Sequence, residues 1–115
     1  MSEEQGLINF EDFTKVKMCA GTILEATLNT KAKKPAYILT IDFGFLGIKT
    51  SSAQITEHYT PSDLIGQQII AVMNFPPKKV AGINSSVLVL ACVNEDTGTV
   101  LLRPTQPVPN GSRVL

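Results

Sequence analysis

Residues 36–43 alternate cleanly: Tyr37, Leu39, Ile41 and Phe43 fall on one side of an extended backbone, and Ile38, Thr40 and Asp42 on the other. Side chains two apart share a face of a strand, so this stretch is predicted as a half-buried strand with the first set facing the core. Residues 19–28 mix β-formers with Gly21 and predict a strand before it. Between the two, residues 31–35 are polar and basic and end in a proline that cannot donate to a ladder, which reads as a hairpin tip. Residues 44–47 supply the next turn and 48–51 the next extended piece. Residues 53–59 have the character of a short helix closed by Pro61. Within residues 67–75, Ile69, Ala71 and Met73 alternate with Ile70 and Val72. Both sets are apolar, so both faces of this strand are expected to be covered, one of them being open to another subunit. Residues 87–92 and 100–103 are further strands, joined through Asn94-Glu95-Asp96-Thr97-Gly98, whose residues tolerate left-handed backbone. Asn9 before Phe10, with Asp12 three positions on, predicts a short capped helix. Residues 104–109 read as an extended, proline-punctuated arm.

Five or six short strands, turn signals about every ten residues and only scraps of helix predict an all-β protein built as a small closed barrel. A length of 115 residues suits one domain spanning 1–115, with residues 1–9 as a flexible N-terminus. Apolar residues at 43% and charged ones at 17% describe a packed globule rather than a disordered chain.

Charge changes the picture only locally. Ten basic and ten acidic side chains cancel, so the molecule as a whole exerts no long-range pull on nucleic acid or on an anionic membrane. Residues 1–12, however, hold Glu3, Glu4, Glu11 and Asp12 without a base, whereas residues 27–56 hold Lys31, Lys33, Lys34 and Lys49 against Asp42 alone. From residue 64 to 94 the only charged side chains are Lys78 and Lys79. Solvated loop lysines are the bland alternative for all of these. The N-terminus lacks the basic start and apolar core of a signal peptide, and no segment reaches the roughly 18 apolar residues that span a bilayer. A cytoplasmic protein without membrane insertion is expected. Cys19 and Cys92 are too far apart in sequence for a metal or redox pair, and both are read as reduced. Cys92 closes an apolar run and is expected in the core, Cys19 nearer the surface.

Catalytic chemistry finds few candidates. The single histidine, His58, has only Glu57 beside it and is expected on the surface of the short helix; one His and two separated Cys supply no metal ligand cluster. Gly44-Phe45-Leu46-Gly47-Ile48-Lys49-Thr50 has the wrong spacing for a phosphate-binding loop, and no long helix follows it. No cofactor is implied, and the chain reads as a binder rather than an enzyme.

One segment stands out: Asn74-Phe75-Pro76-Pro77-Lys78-Lys79-Val80-Ala81-Gly82-Ile83-Asn84-Ser85-Ser86, between two strong strands. It is expected to be a rigid loop offering cations and hydrogen-bond donors to phosphates. With Ile48-Lys49-Thr50-Ser51-Ser52-Ala53-Gln54-Ile55 and Gln106-Pro107-Val108-Pro109-Asn110-Gly111, in that relative placement, it resembles the tRNA-binding domain family, and most closely its free-standing bacterial secretion chaperones. The resemblance runs over residues 10–114. It implies an OB-fold five-stranded barrel with short flanking helices, a homodimer built partly from terminal arms, and tRNA, unfolded preproteins and the secretion ATPase as partners. Carried onto matching positions, it makes Lys49, Ser52, Asn74, Lys78, Lys79, Ser85 and Ser86 the RNA-facing set, with Lys33 and Lys34 at the hairpin tip as helpers. Asn74 has a second reading, as a brace bonded to backbone. One departure is that Lys17-Met18-Cys19 stands where relatives carry Asp-Ile-Arg, which removes a guanidinium from that place. Two functions follow: a tRNA binder that also serves secretion as a chaperone, or an export chaperone that binds polypeptide alone.

Overall fold

The computed structural model describes residues 6–115. In chain order it contains helix α1 (Phe10–Lys15), strands β1 (Met18–Leu28), β2 (Tyr37–Asp42) and β3 (Ile48–Ala53), helix α2 (Pro61–Leu64), and strands β4 (Gln68–Val72), β5 (Lys78–Val80), β6 (Ile83–Ser85), β7 (Leu88–Val89), β8 (Ala91–Asn94) and β9 (Gly98–Leu101). Five of the strands form one antiparallel sheet in the order β3-β2-β1-β4-β7, while β5-β6 and β8-β9 are separate two-stranded ribbons. The sheet curls until its edges meet: Ser86 N–H donates to the Thr50 carbonyl at 2.8 Å, and Ser51 Oγ donates to the Val87 carbonyl at 2.9 Å. The result is a nearly closed five-stranded barrel of the OB type.

β1 makes the curl possible. Its first half pairs with β4, Met18 opposite Val72 through Thr22 opposite Gln68, and its second half pairs with β2. The register slips between Ile23 and Glu25, where Leu24 is the extra residue of a bulge. A bulge raises local twist and bends a strand, which lets one long strand serve two parts of the barrel wall. Gly21 lies at the crossing, under the Phe43 ring.

The predicted alternation over residues 36–43 holds. Tyr37, Leu39, Ile41 and Phe43 are all buried, and they pack with Ile23, Leu64, Ile69 and Ala71 into the core. Residues 67–75 shorten to β4, with Ile69, Ala71 and Val72 buried and Ile70 half-buried. The Asn9 cap is present with its reciprocal bond from Asp12, as expected, and the hairpin turn at residues 94–98 joins β8 to β9.

Three expectations need correction. Residues 53–59 are not a helix: Ala53 still pairs with Tyr37, Ile55 drops into the core, and the Tyr59 carbonyl accepts the Tyr37 hydroxyl at 2.6 Å. Pro61 opens helix α2 instead of closing one, with Thr60 as its cap, and exposed His58 sits on the turn between, its Nε2 bonded to the Thr97 carbonyl. The Thr60 N–H, followed by its hydroxyl, holds the Asp63 carboxyl below its ordinary range. The cysteines are exchanged, Cys19 being buried in the core and Cys92 exposed on β8, because the run 87–92 breaks after β7 as the chain leaves the barrel for the outer ribbon. Residues 74–86 are an ordered hairpin rather than a loop. Ala81 and Gly82 both take positive φ, 46° and 89°, the two-residue turn whose twist matches the strands it joins.

Beyond the arm read at residues 104–109 the chain returns to the barrel. The stretch at 108–114 lies against its own barrel, taking the place beside the first half of β1 that β2 leaves empty. Ala20 N–H donates to Ser112 O, Gly111 N–H to Ala20 O and Val114 N–H to Met18 O, at 2.8–2.9 Å. Gln68 clasps the approach, its Nε2 donating to Val108 O at 2.6 Å and its Oε1 accepting from Val108 N–H at 3.0 Å. Of the expected flexible N-terminus, residues 1–5 lie outside the described part, and residues 6–9 are exposed and end in the ordered Asn9 cap.

Candidate nucleic-acid interface

Antiparallel pairing sorts the side chains of the β5–β6 hairpin onto two faces. Lys78 is opposite Ser85 and Val80 opposite Ile83, which places these four on one face; Lys79 is opposite Asn84 on the other. The neighbouring lysines therefore serve opposite sides of the ribbon. The Lys78 face looks onto a cavity of about 500 Å³ whose lining includes apolar Phe75, Pro76 and Leu88 and polar Ser52, Gln54 and Ser85. Ser85 is fixed there, because its Oγ accepts the Ser52 N–H at 3.2 Å. Ser86 lines the same cavity while its N–H closes the barrel on Thr50.

The other candidates divide. Lys49 pairs with the buried Ile41 at the far end of β3 from Ser52 and does not line the cavity. Asn74 spends its amide on backbone: Oδ1 accepts from Lys17 N–H at 2.9 Å, and Nδ2 donates to Lys15 O at 2.7 Å. It fixes the junction of α1 and β1 to the start of the hairpin segment, which matches its second reading. Lys33 and Lys34 are exposed on the β1–β2 loop.

Lys31, which no sequence motif assigns to the site, is brought into it by the fold. The buried Asn29 donates from Nδ2 to Ala81 O at 3.3 Å and accepts the Lys31 N–H at 3.0 Å, so the β1–β2 loop is tied to the tip of the β5–β6 hairpin. The Lys31 stem then crosses Gly82, where a Cβ would meet its Cδ at 3.2 Å. Only the pairing of two distant loops shows this. Between them the two loops carry Lys31, Lys33, Lys34, Lys78 and Lys79, and no carboxylate occurs in residues 26–41 or 64–94. Such a surface holds polyanions by Coulomb attraction and hydrogen bonds, with its strength set by salt. Cys19 is in the core, and opposite it Arg113 donates from its guanidinium to Thr14 O at 2.7 Å.

Among the described residues no three His, Cys, Asp or Glu side chains come together as a metal site would require, and no helix is long and apolar enough to cross a membrane.

Known proteins place this arrangement. The tRNA binding domain family matches residues 18–113. Methionine--tRNA ligases of Flavobacterium johnsoniae and Methanococcus aeolicus are 33% and 37% identical over 96% and 97% of the chain. The chain spans only 15% and 16% of the length of these ligases. Chaperone CsaA of Bacillus anthracis is 53% identical, with a TM-score of 0.89 over 95% of this chain and 99% of that one. CsaA of Picrophilus torridus is 44% identical, with a TM-score of 0.88 over 95% and 100%. An OB-type barrel, a lysine-bearing hairpin braced by a second basic loop, and these likenesses across nearly the whole chain lead to one assignment: the chain belongs to the tRNA binding domain family and groups within it with the CsaA chaperones.

Proposed function

We propose that this barrel is a non-catalytic tRNA-binding protein that also serves as a chaperone of unfolded preproteins on their way to the secretion ATPase. The observation that carries the RNA reading is the tether between the β1–β2 loop and the β5–β6 hairpin, which brings the lysines of the two loops together. Lys31, Lys33, Lys34, Lys78 and Lys79 contact phosphates, Ser52, Ser85 and Ser86 supply hydroxyls beside them, Asn74 positions the hairpin, and Lys49 adds charge from the other end of β3. The shape of a folded RNA, more than its sequence, is what such a surface reads.

The working form is a homodimer. Helix α1 buries none of its residues, and Leu7, Ile8 and Phe10 before and within it are exposed, which suits a face covered by a second copy. Phe10→Asp is expected to halve the mass seen by light scattering; an unchanged mass removes α1 from the contact.

The test of RNA binding is a salt titration with bulk tRNA. With about four to six phosphates neutralised, affinity is expected to fall roughly 10²- to 10³-fold between 50 and 200 mM salt. Lys78→Ala with Lys79→Ala flattens that slope by about 1.4 to 1.8, each lost phosphate contact counting about 0.7 to 0.9. Its melting temperature stays at the parental value, since exposed lysines contribute little to stability. A flat salt response in the parent rejects the RNA reading. Salt-insensitive binding of an unfolded polypeptide, with no tRNA affinity, leaves the second reading, an export chaperone for polypeptide alone.

A further inference from the structure

We propose that the cavity beside Lys78 receives a single unstacked nucleobase of the bound RNA, laid against Phe75 with its own phosphate on Lys78. This rests on the RNA reading above and adds to it a contact of a different kind, to a base rather than to the backbone.

Four observations converge on this occupant. A volume of about 500 Å³ lies within the roughly 300–1,000 Å³ usual for small-ligand sites. Phe75 lines it while remaining 55% exposed, so an aromatic face is presented to solvent at no cost to the core. The lining also includes the hydroxyls of Ser52 and Ser86 and the amide of Gln54, groups that can bond the edge of a flat heterocycle. Register puts Lys78 on this face and Lys79 on the other, so one cation is committed to the cavity. A flat apolar ring, a hydrogen-bonding edge and an attached negative charge together describe a nucleotide.

Charge separates this from the competing occupant. Segments of unfolded preproteins that begin with a basic region bring cations of their own. Among the described residues Lys78 is the one charged residue lining the cavity, and it disfavours such a basic region. An RNA phosphate is attracted instead. Unpaired positions in the loops and at the ends of a folded RNA supply bases free to leave their stack.

The experiment is a fluorescence titration of the full chain with a short single-stranded RNA carrying one 2-aminopurine, alongside a duplex of equal length and the tRNA salt series. Parental protein and Phe75→Tyr are expected to change the 2-aminopurine emission on binding. Phe75→Ala is expected to abolish that change and weaken the oligonucleotide by about 5- to 150-fold, the range for one base–aromatic stack. The same variant keeps the salt slope of tRNA binding, because its lysines are intact, and its melting temperature, because the ring is exposed. Parental binding with unaltered 2-aminopurine emission, or a Phe75→Ala variant that binds as tightly as the parent, overturns the proposal and leaves the RNA reading standing. Displacement of the oligonucleotide by an apolar peptide, with no 2-aminopurine response, also overturns it and makes the cavity a polypeptide site. Failure of both tRNA and oligonucleotide to bind rejects the function itself.

Discussion

A chain lacking residues 108–115 is expected to melt about 15 °C or more below the full protein, or not to fold at all. The deletion strips three main-chain hydrogen bonds from β1 and the two that bind Val108 to Gln68. Each is worth about 1 kcal/mol net, and more where a buried partner is left unsatisfied, so the sum is roughly 3–6 kcal/mol. That is a large share of the roughly 5–15 kcal/mol that holds a typical domain. It also uncovers Ala20 and Cys19, both buried beside the pairing. Differential scanning calorimetry decides the matter: a truncated chain that melts with the parent shows that the pairing contributes nothing. Loss of dimer mass at an unchanged melting temperature would instead return the segment to the role of an arm crossing to a partner.

Gly21→Ala is expected to be nearly as damaging, although it adds one methyl group. The new Cβ would sit 2.6 Å from two carbons of the Phe43 ring and 2.8 Å from Ile41 Cγ2. Neither neighbour can swing into solvent, since both are wholly buried. Overpacking of this kind costs about 1–3 kcal/mol. For a domain of this size it lowers the melting temperature by about 5–20 °C. Adding Phe43→Leu makes room, and the double variant is expected to recover part of the loss, since residues in contact are energetically coupled. A Gly21→Ala protein with the parental melting curve refutes the packing argument.

The legible part of the sequence is local. The period-two pattern over residues 36–43 and the capping pair Asn9 and Asp12 are physics of near neighbours, and each appears where the sequence puts it. The hairpin at 78–85 is hidden because Ala81 takes the left-handed position where asparagine or aspartate would announce a turn. Cys19 and Cys92 defeat a sequence reading for another reason: burial depends on which strands flank a residue, and β1 is covered on both edges whereas β8 belongs to an outer ribbon. The site divides in the same way. A sequence locates lysines, but not which of them share a face. The register that separates Lys78 from Lys79 and the bond from Asn29 to Ala81, across 52 positions, exist only once the strands pair.

The seat of the 108–114 segment on β1 also governs when the barrel can form. Contacts as remote as Thr14 to Arg113, 99 positions apart, give the fold a high contact order, and such topologies fold slowly. On the ribosome, β1 through β4 can assemble while the first half of β1 still has one bare edge. That edge offers free N–H and C=O groups to any other extended chain until residues 111–114 emerge and cover it. The interval between these two events is the point in the life of this protein at which it is itself most in need of a chaperone.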